Sequence, residues 1–306
     1  MDNYLHIDSP LIESLIVGNS LDAKVWLKMD TMQPSGSFKL RGIGYAALRY
    51  AEQGAEGFIA ASGGNAGLAV AYAGRKLNKT VTVVVPTTTK EIAKNLIKRE
   101  GAHVIVKGDN FLASHDHAIT MSNDRIKYIH PFDDPLIWEG HSTLIDEIVN
   151  KGVNPDAILL SVGGGGLLLG VEKGLKRNAL NHTKIIAVET EGADSFNQCI
   201  DSDEFIELKE ITTVATSLGA KKVAKALFDL RKSKNILGHV VSDKDAVNAV
   251  DCFLNDHRQL VEPACGASLA PLYNNLEVFK DMKEIVVVVC GGVGFSLADL
   301  TAFKAR

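Results

Sequence analysis

The four cysteines of this 306-residue chain, Cys199, Cys252, Cys265 and Cys290, form no C-x-x-C pair, so nothing points to an oxidised, disulfide-built protein. Basic residues are not clustered and the formal net charge is −4, which gives no electrostatic case for nucleic acid or a membrane surface as partner. The most apolar run, Ile285 to Cys290, is far too short to cross a bilayer and fits a buried strand. The start, Met1-Asp2-Asn3-Tyr4, lacks the basic and apolar regions of a signal peptide. A reduced, cytoplasmic protein is expected. Several motifs are also missing. No G-x-S-x-G elbow nominates a hydrolase serine, His141 and Glu147 do not make H-E-x-x-H, and His115 and His117 fall on different faces of their expected helix. Internal repeats, low-complexity tracts and linkers are absent, so any lobes are packed together rather than tethered.

What is present suits a soluble globular enzyme: 46% hydrophobic and 23% charged residues, in a chain longer than one hydrophobic core usually holds. Two lobes with a cleft are expected, divided near residue 140. Val25–Met29 alternates as a strand does. Beyond it, strands at Phe58–Ala61, Thr80–Val85 and Ala102–Val106 alternate with helices at Ala66–Leu77, Glu91–Arg99 and Ala113–Arg125. A helix over Gly140–Lys151 leads to a second series: strands at Ile158–Val162 and Lys184–Glu189 flank a helix at Leu167–Asn178, and Ala193–Gly219 is less regular. Ser242 and Asp245 form a capping box for a helix to about Asn255. A helix (Gly266–Phe279), a strand (Glu284–Cys290) and a helix (Ser296–Ala305) complete the chain. This rhythm predicts an α/β fold with parallel strands and helical crossovers.

The chemistry gathers in turns. Pro34-Ser35-Gly36-Ser37-Phe38-Lys39 is a turn-rich approach to a lysine at the start of a helix over Leu40–Glu52. A lysine becomes a Schiff-base nucleophile when desolvation or neighbouring positive charge brings its pKa toward neutrality. The bland alternative is a solvated lysine capping a turn. Gly163-Gly164-Gly165-Gly166 follows a strand and opens a helix, so converging N–H groups and the helix dipole favour an anion such as a phosphate. Neither dinucleotide nor P-loop spacing is met, which lowers NAD and ATP in rank. Ser62-Gly63-Gly64-Asn65-Ala66-Gly67 offers a hydroxyl and an amide suited to a carboxylate or a ring hydroxyl, unless Ser62 or Asn65 merely caps the next helix. Cys290-Gly291-Gly292-Val293-Gly294 ends the apolar strand, where Cys290 is either an inert buried thiol or faces a ligand. All three glycine turns sit at carboxyl ends of strands, where open parallel sheets bind ligands.

These four stretches, in this order and at these separations, resemble the fold type II pyridoxal-phosphate enzymes, and most of all the eukaryotic-type L-serine dehydratase/L-threonine deaminase family. His130-Pro131-Phe132-Asp133-Asp134-Pro135-Leu136-Ile137-Trp138-Glu139-Gly140-His141 and Val261-Glu262-Pro263-Ala264-Cys265-Gly266-Ala267 are similar to that family as well. The resemblance implies two open, twisted, mostly parallel sheets with flanking helices, residues 1–39 and 136–306 forming a large domain and 40–135 a small one. It makes Lys39 the lysine that carries pyridoxal 5'-phosphate, Phe38 a ring neighbour, and Asn65 a partner of the ring hydroxyl. Gly163, Gly164, Gly165, Gly166 and Leu167 would hold the phosphate, and Cys290 would face the pyridine nitrogen. Ser62, Gly63, Gly64, Asn65 and Ser217 would receive a small amino-acid substrate, with Lys39 and Ser62 catalytic. Glu189, Ala193, Ser195 and Leu218 resemble the surroundings of a monovalent cation, potassium, and relatives of this type are homodimers. The implied reaction is α,β-elimination from serine or threonine, because a thiol at the ring nitrogen leaves a weaker electron sink than a carboxylate does. Racemisation, β-replacement and a catalytically silent binding protein are the rivals. The chain departs from the family at Gly63, where active members often carry alanine, and after Gly292.

Overall fold

A computed structural model describes residues 4–305, so the Met1–Asn3 stretch weighed above as a leader lies outside the described residues. The chain divides into two compact units, one comprising residues 1–7 and 33–141, the other 8–32 and 142–306.

The first unit is built on a four-stranded parallel sheet in the order β5-β4-β3-β6, formed by β3 (Gly57–Ala61), β4 (Thr80–Val85), β5 (His103–Val106) and β6 (Ile126–Tyr128). Helices α2 (Lys39–Glu52), α3 (Asn65–Lys76), α4 (Glu91–Arg99) and α5 (Phe111–Thr120) supply the crossovers and cover. Strand β3 is buried along its whole length, as a strand covered on both faces must be. Its Ile59 and Ala61 pack with Val84 and Ala118 in the core, where Leu40, Ile43 and Ala47 of α2 are also fully buried.

The second unit carries a six-stranded sheet, ordered β1-β2-β10-β7-β8-β9: β1 (Leu11–Glu13), β2 (Lys24–Lys28), β7 (Ala157–Ser161), β8 (Lys184–Thr190), β9 (Ile236–Val241) and β10 (Glu284–Val288). Only β1 runs antiparallel to its neighbour. Around it lie α1 (Leu15–Leu21), α7 (Gly166–Arg177), α8 (Ser195–Ser202), α9 (Lys225–Asp229), α10 (Asp243–His257), α11 (Pro263–Tyr273) and α12 (Leu297–Lys304). Helix α6 (Pro135–Asn150) carries the chain from the first unit into the second. At β2 the fully buried Lys28 bonds the Ser9 carbonyl at 2.7 Å and the carboxylates of Glu147 at 2.5 Å and Asp8 at 3.3 Å.

Three expected elements need correction. The helix expected over Ala113–Arg125 ends at Thr120, because the Asn123 side chain accepts from the N–H groups of Arg125 and Ile126 and turns the chain into β6. The helix expected from Gly140 begins at Pro135, with the Asp134 carboxylate accepting from Leu136 N–H at its entry. The helix expected over Gly266–Phe279 starts at Pro263, stops at Tyr273, and is followed by a short 3-10 turn at Glu277–Phe279. Within the irregular stretch, α8 and a 3-10 turn at Thr216–Leu218 are ordered. The Ser242 cap is present, accepting from Asp245 N–H at 3.1 Å. Among the described residues no helix is long and apolar enough to cross a membrane.

Candidate active site

In the first unit the candidate residues collect where β3, β4 and β6 end. Lys39 opens α2 and is half-buried, and its Nζ donates to the Pro131 carbonyl at 2.7 Å while lying 5.1 Å from the centre of the Phe38 ring. Phe38 in turn packs at 5.1 Å against the His141 ring. Pro131 belongs to the turn after β6, and β6 is the neighbour of β3, whose end carries Ser62, Gly63, Gly64 and Asn65.

The loop after β3 is not a helix cap in the sense weighed above. Its N-cap is Gly64, no side chain accepts there, and Asn65 is the first residue of α3, while Ser62 Oγ accepts from Gly64 N–H at 3.3 Å. Gly67 explains why this loop closes on glycine: a β-carbon there would stand 2.0 Å from the Ser62 carbonyl oxygen. A backbone atom cannot swing aside as a side chain can, so Gly67→Ala has to displace the Ser62 turn. Gly67→Ala is expected to lower kcat/KM about tenfold or more with a loss of roughly 1–3 kcal/mol in stability, read by steady-state kinetics and denaturant titration. Unchanged kinetics would show that the turn carries no substrate. At Gly63 a β-carbon would meet Thr89 Cγ2 and Oγ1 at 2.4 Å, so the Thr89 side chain, in the turn between β4 and α4, fills the volume that alanine would take there.

In the second unit the candidates gather at the ends of β7, β8 and β10. Gly163 to Gly166 turn the chain from β7 into α7. Gly165 adopts φ +95°, which glycine accepts without strain, and serves as N-cap of α7. Gly163 lies against the backbone of Leu218, a β-carbon there standing 3.1 Å from Leu218 Cα, and the Gly164 carbonyl accepts from Ala224 N–H at 2.9 Å. The loop's carbonyl is thus tied back to the segment that carries Ser217, leaving the start of a twelve-residue helix to present N–H groups, as a phosphate requires. Ser217 lines a recess of about 30 Å³ with Thr216, Glu262, Pro263 and Gly294.

Cys290 is buried just past the end of β10, beside Cys265. The Cys265 thiol, burial and the nearby carboxylates of Glu262 and Asp30 together push the Cys290 thiol up, so at neutral pH it remains a thiol. Glu262 also accepts from Gly294 N–H at 3.3 Å. All four cysteines are thiols. Glu189, fully buried at the end of β8, accepts from the N–H groups of Phe196 (3.0 Å) and Asn197 (2.7 Å) and from the Asn197 amide (2.7 Å). Burial nonetheless raises its pKa to about 7. Ser195 Oγ donates to the Ala220 carbonyl at 3.2 Å, and Ala193 pairs with Thr190. Glu189, Ala193 and Ser195 therefore share one turn at the start of α8.

The chain as a whole matches a known family. The family model described as pyridoxal-phosphate dependent enzyme matches residues 3–291. The chain belongs to this family. Its fold is the fold type II arrangement of two mostly parallel sheets with flanking helices. It is 42% identical to a human protein named L-serine dehydratase/L-threonine deaminase, over 99% of this chain and 95% of that one. It is 43% identical to an L-serine dehydratase of Dictyostelium discoideum, covering 97% of this chain and 91% of the relative. The crystal structure of a fungal L-serine ammonia-lyase from Rhizomucor miehei superposes with a TM-score of 0.94 at 34% identity, covering 99% of both chains. Two groups of residues in this family member carried no assignment in the sequence. The Pro131 carbonyl is a main-chain atom and leaves no signature of its own. Asp30 and Glu262 act on Cys290 from remote positions, although Glu262 lies in a stretch that carried the family resemblance.

Proposed function

We propose that this chain is an ammonia-lyase that converts L-serine to pyruvate and L-threonine to 2-oxobutanoate, releasing ammonia by α,β-elimination. The observation that carries this reading is the Lys39 amine, half-buried and bonded to a carbonyl in the first unit, in a chain whose relatives bear these activities in their names. Bound pyridoxal phosphate supplies an aldehyde that condenses with amines and a ring that acidifies the α-hydrogen of an amino acid. The residues present fit it: a lysine for the aldehyde, a glycine loop at a helix start for the phosphate, and a neutral thiol for the pyridine nitrogen.

On this reading Lys39 holds the cofactor, and its Nζ is the base that takes the α-proton. Gly163 to Leu167 grip the phosphate through backbone N–H groups. Ser62, Gly63, Gly64 and Asn65 orient the substrate carboxylate through a hydroxyl, an amide and main-chain donors, aided by Ser217, and Asn65 also reaches the ring hydroxyl. A Cys290 that stays protonated adds no negative charge beside the ring nitrogen, which favours loss of the β-hydroxyl over reactions that store charge in the ring. Glu189, Ala193, Ser195 and Leu218 are proposed to hold potassium, and by family resemblance the enzyme works as a cytoplasmic homodimer.

The test is release of ammonia and keto acid from serine, threonine and their D-forms, with and without potassium. Equal amounts of ammonia and 2-keto acid are expected from the L-forms alone, faster with potassium. Cofactor absorbance with no keto acid from any β-hydroxy amino acid would overturn the assignment.

A further inference from the structure

The Pro131 carbonyl that meets Lys39 directly follows a histidine whose ring bonds the backbone beyond it. His130 Nδ1 accepts two successive backbone N–H groups, from Phe132 at 3.2 Å and from Asp133 at 2.7 Å, and so closes a tight turn over Pro131. An imidazole that accepts at Nδ1 carries its proton on Nε2 and is neutral, since the protonated ring has no acceptor. The rest of the turn is pinned to α6 and α2: Trp138 Nε1 of α6 donates to the Phe132 carbonyl at 2.8 Å, and Asp134 accepts from Leu136 N–H of α6 and, at 2.6 Å, from the Tyr50 hydroxyl of α2. The His130 ring stands edge-on to Phe132 at 4.6 Å and to His115 at 5.7 Å, and His115 Nδ1 shares a 2.6 Å hydrogen bond with the Tyr128 hydroxyl. Proline at 131 restricts its own φ, so the direction of its carbonyl follows from the residues on either side.

We infer that His130 is a positioning residue for Lys39: by accepting these two N–H groups it folds the turn that aims the Pro131 carbonyl at the lysine amine. The inference rests on reading Lys39 as the cofactor-bearing lysine. That amine must return to one place each time it is not bonded to the cofactor, and a fixed acceptor at 2.7 Å defines the place. Burial, His115 and Lys39 itself hold the His130 pKa down to about 4, so the accepting form persists at neutral pH.

The experiment compares wild type with His130→Phe, which keeps a ring without an acceptor, and His130→Asn, whose side-chain oxygen can accept the same two N–H groups in an Asx turn. The readouts are kcat, KM and the rate at which the cofactor-stripped enzyme regains its visible absorption with pyridoxal phosphate. His130→Phe is expected to slow recovery and lower kcat about tenfold, the equivalent of one hydrogen bond, with KM little changed, while His130→Asn stays within about threefold of wild type. Wild-type recovery in His130→Phe, or equal impairment of both variants, overturns the inference. If His130→Phe does not fold, His130→Asn decides: recovery near wild type supports the role and a tenfold loss removes it. Borohydride labelling of wild type separates the two levels of argument. A label on a residue other than Lys39 removes the reading of the lysine itself, whereas a label on Lys39 with an unimpaired His130→Phe removes only the role of His130.

Discussion

Lys39→Ala is expected to abolish the visible absorption of the cofactor-loaded protein and to lower turnover of L-serine by at least about 10³-fold, because on the proposed reading one amine serves as both cofactor anchor and base. Lys39→Arg should fare no better. A guanidinium keeps the positive charge but cannot give up its proton in the working pH range, so any residual activity in this variant would trace to charge alone. Neither substitution should unfold the chain. Lys39 is half-buried and its Nζ donates to a main-chain carbonyl, a bond whose loss costs about 1 kcal/mol. Absorbance spectra, borohydride labelling and denaturant titration separate the cases, and retention of full activity in Lys39→Ala would end the assignment.

The largest effect on stability is expected at Lys28. Its ammonium is fully buried, 2.5 Å from a Glu147 carboxylate that is itself 12% exposed. Replacing Lys28 with Met removes the cation while the carboxylate stays in a desolvated place, and breaking a buried pair in this way costs about 3–5 kcal/mol. Adding Glu147→Leu removes the stranded charge too, so the double variant is expected to regain most of the loss. Asp8 is the control. Its side chain is 56% exposed, so Asp8→Ala should change stability by less than about 1 kcal/mol although Asp8 also faces Lys28. Urea denaturation of the three variants checks the order. A Lys28→Met protein within about 1 kcal/mol of wild type would show that the pair is not desolvated as its burial indicates.

Much of the fold was legible because parallel strands buried on both faces read as short apolar runs. Phe58–Ala61, Thr80–Val85 and the Ile285 run are all strands at nearly those bounds. The reading lost accuracy where side chains bond their own backbone. Asn123 ends one helix early in favour of β6, and Asp134 with Pro135 starts another early, both through hydrogen bonds that periodicity does not register. The partly exposed strands β1 and β9 were missed for want of a continuous apolar run. At the site, lysine and glycine motifs stood out because their chemistry needs particular residue types. The groups around them did not: a carbonyl at Pro131, a hydroxyl-bearing side chain filling the space at Gly63, and two carboxylates beside Cys290.

The position of β10 between β2 and β7 has a consequence for how the chain is made. Its residues Glu284 to Val288 zip against Lys24 to Lys28, more than 250 positions earlier, and join two parts of the sheet that share no other ladder. During synthesis β2 must therefore wait, unpaired on one side, until residues 284 to 288 have left the ribosome, while the four strands of the first unit come from one continuous stretch and can zip up long before. A nascent chain stalled short of residue 284 should already protect β3 to β6 from hydrogen exchange and leave the β10-facing side of β2 open.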